Sequence, residues 1–398
     1  MGITALNWQR GTTPKSGTAL PGSAISGSPV TRTPVSGTAS GAGPYYSAPK
    51  SAVWDITYLC NLHCPHCLTA SGDKREGELT TGEAFRLIDN LAEAKLLNLS
   101  LSGGEPFLRE DLPELIAYAA ARNIRTDIAS NGVVIPDAVL KRLKDLPLFN
   151  IQISLDGIGE THDAFRGRPG AFLAILANIA RLKGEGIAVS ISTTATSANY
   201  REIPGLIDLA YELGASAYKA IPFLPAGRGA ANAHLSLSRA QYEEFSRSLL
   251  AKAGEYTGRL SVATDTIFSC LLTEIMDMED SDGAMGCSAG YDTLSIGSDG
   301  TVYPCPFLQI LPLGNLLEVP LQELWQTAPV LQTLRSITKA SLDEPCQSCS
   351  YAPAHCRGGC RASALLHSGS LTGCDPLCPR VRTDQVGFNL PQAIPDLK

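Results

Sequence analysis

The sequence predicts an α/β fold, a partial (β/α)6 TIM-like barrel followed by a cysteine-rich C-terminal domain, and three observations carry that prediction. Six short β-rich runs alternate with amphipathic helical patterns from residue 53 onward. The runs are apolar on one face and polar on the other, where an ordinary parallel sheet is apolar on both. Nine of the twelve cysteines fall between residues 270 and 378, after the alternation has faded.

The strands are predicted at VWDITY (53–58), LNLSLS (97–102), RTDIAS (125–130), FNIQISL (149–155), IAVSIST (187–193) and SAYKAI (216–221). Between them, Ala84, Leu87, Ile88 and Leu91 follow i, i+3, i+4, i+7 spacing and predict one apolar helical stripe. The same spacing recurs at Leu112, Leu115, Ile116 and Ala119, at Phe172, Ile175, Leu176 and Ile179, and at Ile203, Leu206, Ile207 and Ala210. Thr80 with Glu83 predicts a capping box, and Gly214 a helix stop.

In FNIQISLD, Phe149, Ile151, Ile153 and Leu155 alternate with Asn150, Gln152, Ser154 and Asp156. With helices over the apolar face, the polar face is expected to line an enclosed wet space, as in an incomplete barrel that holds a polar ligand. An edge or solvent-facing sheet is the alternative.

Residues 1–48 are rich in Gly, Ser, Thr, Pro and Ala, with SGTA at 16–19 and again at 36–39. Such a segment buries too little apolar surface to offset its ordering entropy and is expected to be a tail. The expected divisions are then the barrel at 49–235, a linking helix at 236–261, the cysteine-rich domain at 262–385 and a C-terminal tail at 386–398.

A net charge of −7 argues against a broad basic face for nucleic acid or anionic lipid. No run of about eighteen apolar residues and no secretory signal pattern is present. The expected location is the cytoplasm, where cysteines serve as metal ligands or free thiols more often than as disulfides.

CNLHCPHC at 60–67 places Cys60, Cys64 and Cys67 directly after the first predicted strand. In parallel βα architectures, sites form on loops at the C-terminal ends of strands. Ser102 to Pro106, Ser130 to Gly132, and Ser154 with Asp156 and Gly157 stand at the other strand ends. Three thiolates are one short of a closed structural site, so a four-iron four-sulfur cluster held by them keeps one iron open. Zinc with His63 or His66 as fourth ligand is the structural alternative, but it explains neither the polar lumen nor the glycines of SGGEP.

The C-x3-C-x2-C spacing, with SGGEP at the end of the next strand, resembles the radical S-adenosylmethionine (SAM) superfamily; His66 replaces an aromatic position. The resemblance implies that SAM chelates the open iron. It further implies that Gly103 and Gly104 offer backbone groups to the SAM amine, Glu105 accepts from the ammonium, and Ser154 and Arg166 bind the ribose or carboxylate. For Arg166, a solvated loop cation is the alternative.

The later cysteines, Cys287, Cys305, Cys346, Cys349, Cys356, Cys360, Cys374 and Cys378, resemble the SPASM domain, with a six-residue gap where the family has five. That resemblance implies one auxiliary four-iron four-sulfur cluster on Cys346, Cys349, Cys356 and Cys378. Another would rest on Cys287, Cys305 and Cys360, with Cys270 or Cys374 as a further ligand. Three clusters in all are implied; paired zinc ribbons are the alternative. Auxiliary clusters suit net oxidation, because protein environment tunes cluster potentials over about −700 to +450 mV.

The mechanism implied is one-electron reductive cleavage of SAM to methionine and a 5'-deoxyadenosyl radical, which takes hydrogen from the substrate. VWDITYLCNLHCPHCLTASG, NIQISLDG, PAGRGA at 225–230 and CRGGCRASALLHSG look most like peptide-modifying enzymes of the mycofactocin maturase type. Those enzymes oxidatively decarboxylate a C-terminal tyrosine of a small ribosomal peptide presented by a separate leader-binding protein. No winged-helix leader-binding segment is evident before residue 50, so a partner is expected to deliver the peptide, and a flavodoxin- or ferredoxin-type protein to supply electrons. Sulfatase maturases place an aspartate where Pro306 stands, which disfavours that activity. The same frame serves tetrapyrrole- or carbohydrate-directed enzymes, and a metal-stabilised interaction protein without SAM chemistry is the non-enzymatic alternative.

Overall fold

The computed structural model describes residues 45–264, 287–351, 356 and 358–381. All six predicted strands form: β1 (Ser51–Thr57), β2 (Asn98–Gly103), β3 (Arg125–Ser130), β4 (Leu148–Ser154), β5 (Val189–Ala195) and β6 (Ala217–Pro222). They pair in sequence order, each parallel to the next.

The sheet extends past both ends of that set. β7 (Ser261–Ala263) adds in parallel beside β6, and β8 (Thr293–Ile296) adds in parallel beside β1. β9 (Thr301–Tyr303) and β10 (Gly314–Asn315) continue antiparallel from β8. The order is β10-β9-β8-β1-β2-β3-β4-β5-β6-β7, with no pairing between its ends, so the barrel is open. The sheet therefore runs into the region expected to be a separate cysteine-rich domain.

The helices are α1 (Thr81–Glu93), α2 (Leu112–Ala120), α3 (Asp137–Leu143), α4 (Glu160–Arg166), α5 (Ala171–Gly184), α6 (Ile203–Glu212), α7 (Arg239–Glu255), α8 (Leu321–Thr327), α9 (Pro329–Ser336) and α10 (Arg361–Ser368). The stripes of α1, α2 and α6 are fully buried, each side chain contributing about 1.5–3 kcal/mol where it is a leucine or isoleucine. Thr80 and Glu83 form the capping box, and Gly214 ends α6 at φ +65°.

α5 departs from its expected stripe. Phe172 and Leu176 are only half-buried, while Asn178 is buried in their place. Its amide donates to the carbonyls of Gly132 at 2.9 Å and Val133 at 3.1 Å, holding the loop after β3. A buried amide with two acceptors costs little.

Strand alternation sets Trp54, Ile56, Leu99, Leu101, Ile151, Ile153, Ile191 and Tyr218 in the core. Asp55, Ser100, Asp127, Gln152, Ser192 and Lys219 occupy the opposite face, as the polar-lumen reading expected. Ser100 donates to Asp127 at 2.6 Å there.

Candidate active site

β1 ends at Thr57, and the chain then folds back on itself. The Cys60 amide donates to the Gly72 carbonyl at 2.8 Å, and the Gly72 amide to the Tyr58 carbonyl at 3.0 Å. Cys60, Cys64 and Cys67 share this closed loop at the C-terminal edge of the sheet.

The loop is clamped from across the barrel mouth by residues that follow β6. The Arg228 amide donates to the Cys67 carbonyl at 2.9 Å, its Nη1 to the Cys64 carbonyl at 2.9 Å, and its Nη2 to the Ser71 carbonyl. Asn232 donates to the Pro65 carbonyl at 3.0 Å. Gly227 makes the crossing possible, because a Cβ there would stand 1.9 Å from the Leu68 carbonyl oxygen. PAGRGA carried this clamp, but only as part of a family likeness; nothing in the stretch alone distinguishes Arg228 from a surface cation.

Each thiol meets a different N–H donor. Asn131 Nδ2 lies 3.8 Å from Cys60 Sγ, Arg166 Nη1 lies 3.8 Å from Cys64 Sγ, and the Ser71 amide lies 3.4 Å from Cys67 Sγ. Burial pushes the Cys60 thiol up to about 11, and the charges of Glu105, Cys64 and Cys67 add to the rise. Burial also raises Cys64, against the pull of Arg166. Three such thiols ionise together only when a cation receives them, and N–H donors to sulfur suit metal-bound thiolates.

The SGGEP loop crosses directly over the end of β1. The Gly104 amide donates to the Thr57 carbonyl at 2.7 Å and the Glu105 amide to the Leu59 carbonyl at 2.8 Å. A Cβ on Gly103 would stand 2.2 Å from the Thr57 carbonyl oxygen, and one on Gly104 2.2 Å from that of Leu59. The glycine pair is thus required by the chain itself, whatever ligand it faces. Glu105 is fully buried, and its carboxylate accepts from the Phe107 amide at 3.1 Å, Ser130 Oγ at 2.9 Å and the Asn131 amide at 2.8 Å. Burial lifts it to about 7 despite those three donors. It ties the second loop to the third, a role the sequence did not suggest.

Ser154 ends β4 half-buried, opposite Ser192 of β5. Arg166, the last residue of α4, is buried, so the solvated-cation alternative does not hold. Its Nε donates to Asp156 Oδ2 at 2.6 Å, and Nη2 pairs with the same oxygen. Asp156 is fully buried; its Oδ1 accepts from the Thr194 amide at 2.7 Å, and its own amide donates to His162 Nδ1 at 3.0 Å. His66 stacks on Phe165 with ring centroids 4.2 Å apart and is held down to about 3 by burial, a neutral imidazole.

The later cysteines gather in two neighbourhoods. Burial and the proximity of Cys287 and Cys305 raise Cys360, and burial with Cys287 pushes Cys305 up to about 12. Cys360 also receives the Ser363 amide at 3.5 Å, while its own amide donates to the buried Asp375 at 2.8 Å. In the second neighbourhood Cys346 feels Cys374, Cys378 and Cys356, its thiol rising as it donates to Cys374, which falls to about 7. Cys374 thus stands with Cys346 rather than with Cys360. Cys270 lies outside the described residues. Among the described residues no three His, Cys, Asp or Glu side chains converge on a single metal ion. Cysteines gathered in this way suit iron-sulfur clusters, whose protein ligands are thiolates. No helix among the described residues is long and apolar enough to cross a membrane.

Comparison with known proteins agrees with this geometry. Residues 54–210 match the radical SAM superfamily and residues 287–350 the SPASM iron-sulfur cluster-binding domain. An AdoMet-dependent heme synthase of Methanosarcina barkeri is 33% identical over 344 residues, 83% of this chain and 97% of that protein. A mycofactocin maturase of Mycobacterium ulcerans is 33% identical over 337 residues, 83% of this chain and 88% of the relative. The crystal structure of Streptococcus suis SuiB bound to S-adenosylmethionine superposes with a TM-score of 0.69 at 20% identity, covering 84% of this chain and 78% of that one. The chain belongs to the radical SAM superfamily and is an enzyme of its SPASM-bearing branch.

Proposed function

We propose that this enzyme reductively cleaves SAM and uses the resulting 5'-deoxyadenosyl radical to oxidise a ribosomally synthesised peptide. The observation that carries the chemistry is the thiol loop, in which Cys60, Cys64 and Cys67 each face their own N–H donor at the mouth of an open sheet. Cys60, Cys64 and Cys67 would hold a four-iron four-sulfur cluster there, which would supply the single electron for SAM cleavage.

The chain's own residues do the rest. Gly103 and Gly104 bring backbone groups to the SAM edge, Glu105 fixes that loop to Asn131, and Ser154 stands across the mouth for the ribose. Cys287, Cys305 and Cys360 would hold a second cluster, and Cys346, Cys349, Cys356 and Cys378 a third, with Cys374 beside Cys346. That leaves Cys270 or a non-cysteine group to complete the second. A leader-binding protein delivers the peptide and a flavodoxin or ferredoxin the electrons, in the reducing cytoplasm; no disulfide joins the eleven described cysteines.

The mycofactocin maturase likeness supports the peptide substrate. A tetrapyrrole is the second reading, favoured by the heme synthase likeness, which spans almost all of that relative. Oxygen-free reconstitution decides between them. About twelve irons per chain are expected, and dithionite with SAM should yield methionine and 5'-deoxyadenosine. A peptide ending in tyrosine, given with its leader-binding partner, should then change mass. Zinc in place of iron, or intact SAM, overturns the proposal; oxidation of iron coproporphyrin III in place of the peptide selects the second reading.

A further inference from the structure

Of the three N–H donors that face the thiol sulfurs, two are neutral amides and one is a cation. Arg166 is 9% exposed and aims Nη1 at Cys64 Sγ, 3.8 Å away. Its other edge is fully engaged, since Nε and Nη2 both address Asp156 Oδ2. A guanidinium recognises a carboxylate through two parallel N–H groups of one edge. In Arg166 the Nε edge is already closed by a protein carboxylate, which fixes the guanidinium plane and leaves Nη1 directed at sulfur.

Asp156 is itself immobilised. Thr194 donates to its Oδ1 at 2.7 Å, Asn199 to its carbonyl at 2.7 Å, and its amide goes to His162 at 3.0 Å. The Arg166 carbonyl also lies 3.9 Å from Cys64 Sγ, so backbone and side chain of one residue both border this sulfur. The cation is fixed beside Cys64 by a carboxylate with no freedom of its own.

We propose that Arg166, held by Asp156, is a positioning residue that sets the reduction potential of the cluster on Cys60, Cys64 and Cys67 by acting through the sulfur of Cys64. The inference rests on the cluster reading above. Reduction adds one negative charge to the cluster, and a fixed cation with an N–H toward a ligating sulfur favours the reduced form. Asp156 opposes that field from the far side of the guanidinium. Removing either partner therefore moves the potential in opposite directions, which loss of packing does not do.

The test is a potentiometric titration of reconstituted protein, followed by electron paramagnetic resonance without SAM, beside equilibrium binding of SAM to the oxidised protein. Arg166→Gln should lower the potential and Asp156→Asn should raise it. Arg166→Lys, which keeps the charge without the planar fork, should fall between the parent and Arg166→Gln and serves if the glutamine variant does not fold. Unmoved potentials, or shifts of the same sign in Arg166→Gln and Asp156→Asn, overturn the inference. So does a tenfold or greater loss of SAM affinity in Arg166→Gln with the potential unchanged. A parent protein that takes up no cluster sinks the proposed function first, whereas these variant outcomes sink this inference alone.

Discussion

Gln309 Nε2 donates to Asp55 Oδ2 at 3.2 Å, joining the first strand of the barrel to the short helical turn that follows Cys305. Asp55 is 4% exposed, and burial pushes it up to about 7, with Gln309 and Arg75 pulling the other way. The folded protein thus holds this proton more tightly than the unfolded chain. The stabilisation is complete below about pH 4 and is lost as pH rises through 7, on the order of 4 kcal/mol in all. Asp55→Asn keeps an acceptor for Gln309 and cannot ionise. Denaturant unfolding of the metal-free protein should show parent and variant drawing apart between about pH 4 and 7, in favour of the variant; parallel curves over that range would contradict the assignment.

Glu105 accepts from Ser130, the Asn131 amide and the Phe107 amide while fully buried. Glu105→Gln turns one acceptor oxygen into an NH2 group that must face one of those donors. A buried donor left without a partner costs about 1–3 kcal/mol. The variant should unfold at correspondingly lower denaturant and cleave SAM more slowly than the parent, because the loop carrying Gly103 and Gly104 loses its tie to β3.

Gly104→Ala places a methyl group 2.2 Å from the Leu59 carbonyl oxygen, a backbone atom with no flexible end to swing away. The thiol loop and the SGGEP loop must then separate. More than about 2 kcal/mol of stability should be lost, and iron bound per chain after reconstitution should fall. Ordinary cluster content in this variant would show that the two loops can part without consequence.

Much of this was legible in the sequence, for a physical reason. β1 to β6 are long enough for alternation to register: Ile151, Ile153 and Leu155 of FNIQISLD lie in the core, whereas Phe149, at the start of β4, is exposed. β7 and β8 are three and four residues long, too short for a period of two to be read. α5 shows the limit of spacing rules: Asn178 displaces Leu176 from the buried face because two loop carbonyls need a donor. Likewise Glu105 and Arg166 sit where the motifs place them, yet spend their charges on Asn131 and Asp156, partners set by tertiary contact alone. Motif spacing reports which residues reach a site, while their hydrogen-bond partners depend on loops that spacing does not constrain.

Arg228 offers the sharpest test of how the thiol loop is kept in shape. It holds three carbonyls of that loop, those of Cys67, Cys64 and Ser71, from the segment after β6. Arg228→Ala leaves two of these acceptors without their side-chain donor, while the backbone bond to Cys67 remains. With about 1–3 kcal/mol at stake per buried acceptor, local opening of the loop should become easier without unfolding the barrel. Amide hydrogen exchange should therefore speed up at Cys60, Cys67 and Gly72, and stay unchanged in Ile151 and Ile153 at the centre of β4. Arg228→Lys, a point charge with no planar fork, should restore only part of the protection. Uniform acceleration across the sheet would instead make Arg228 a determinant of global stability.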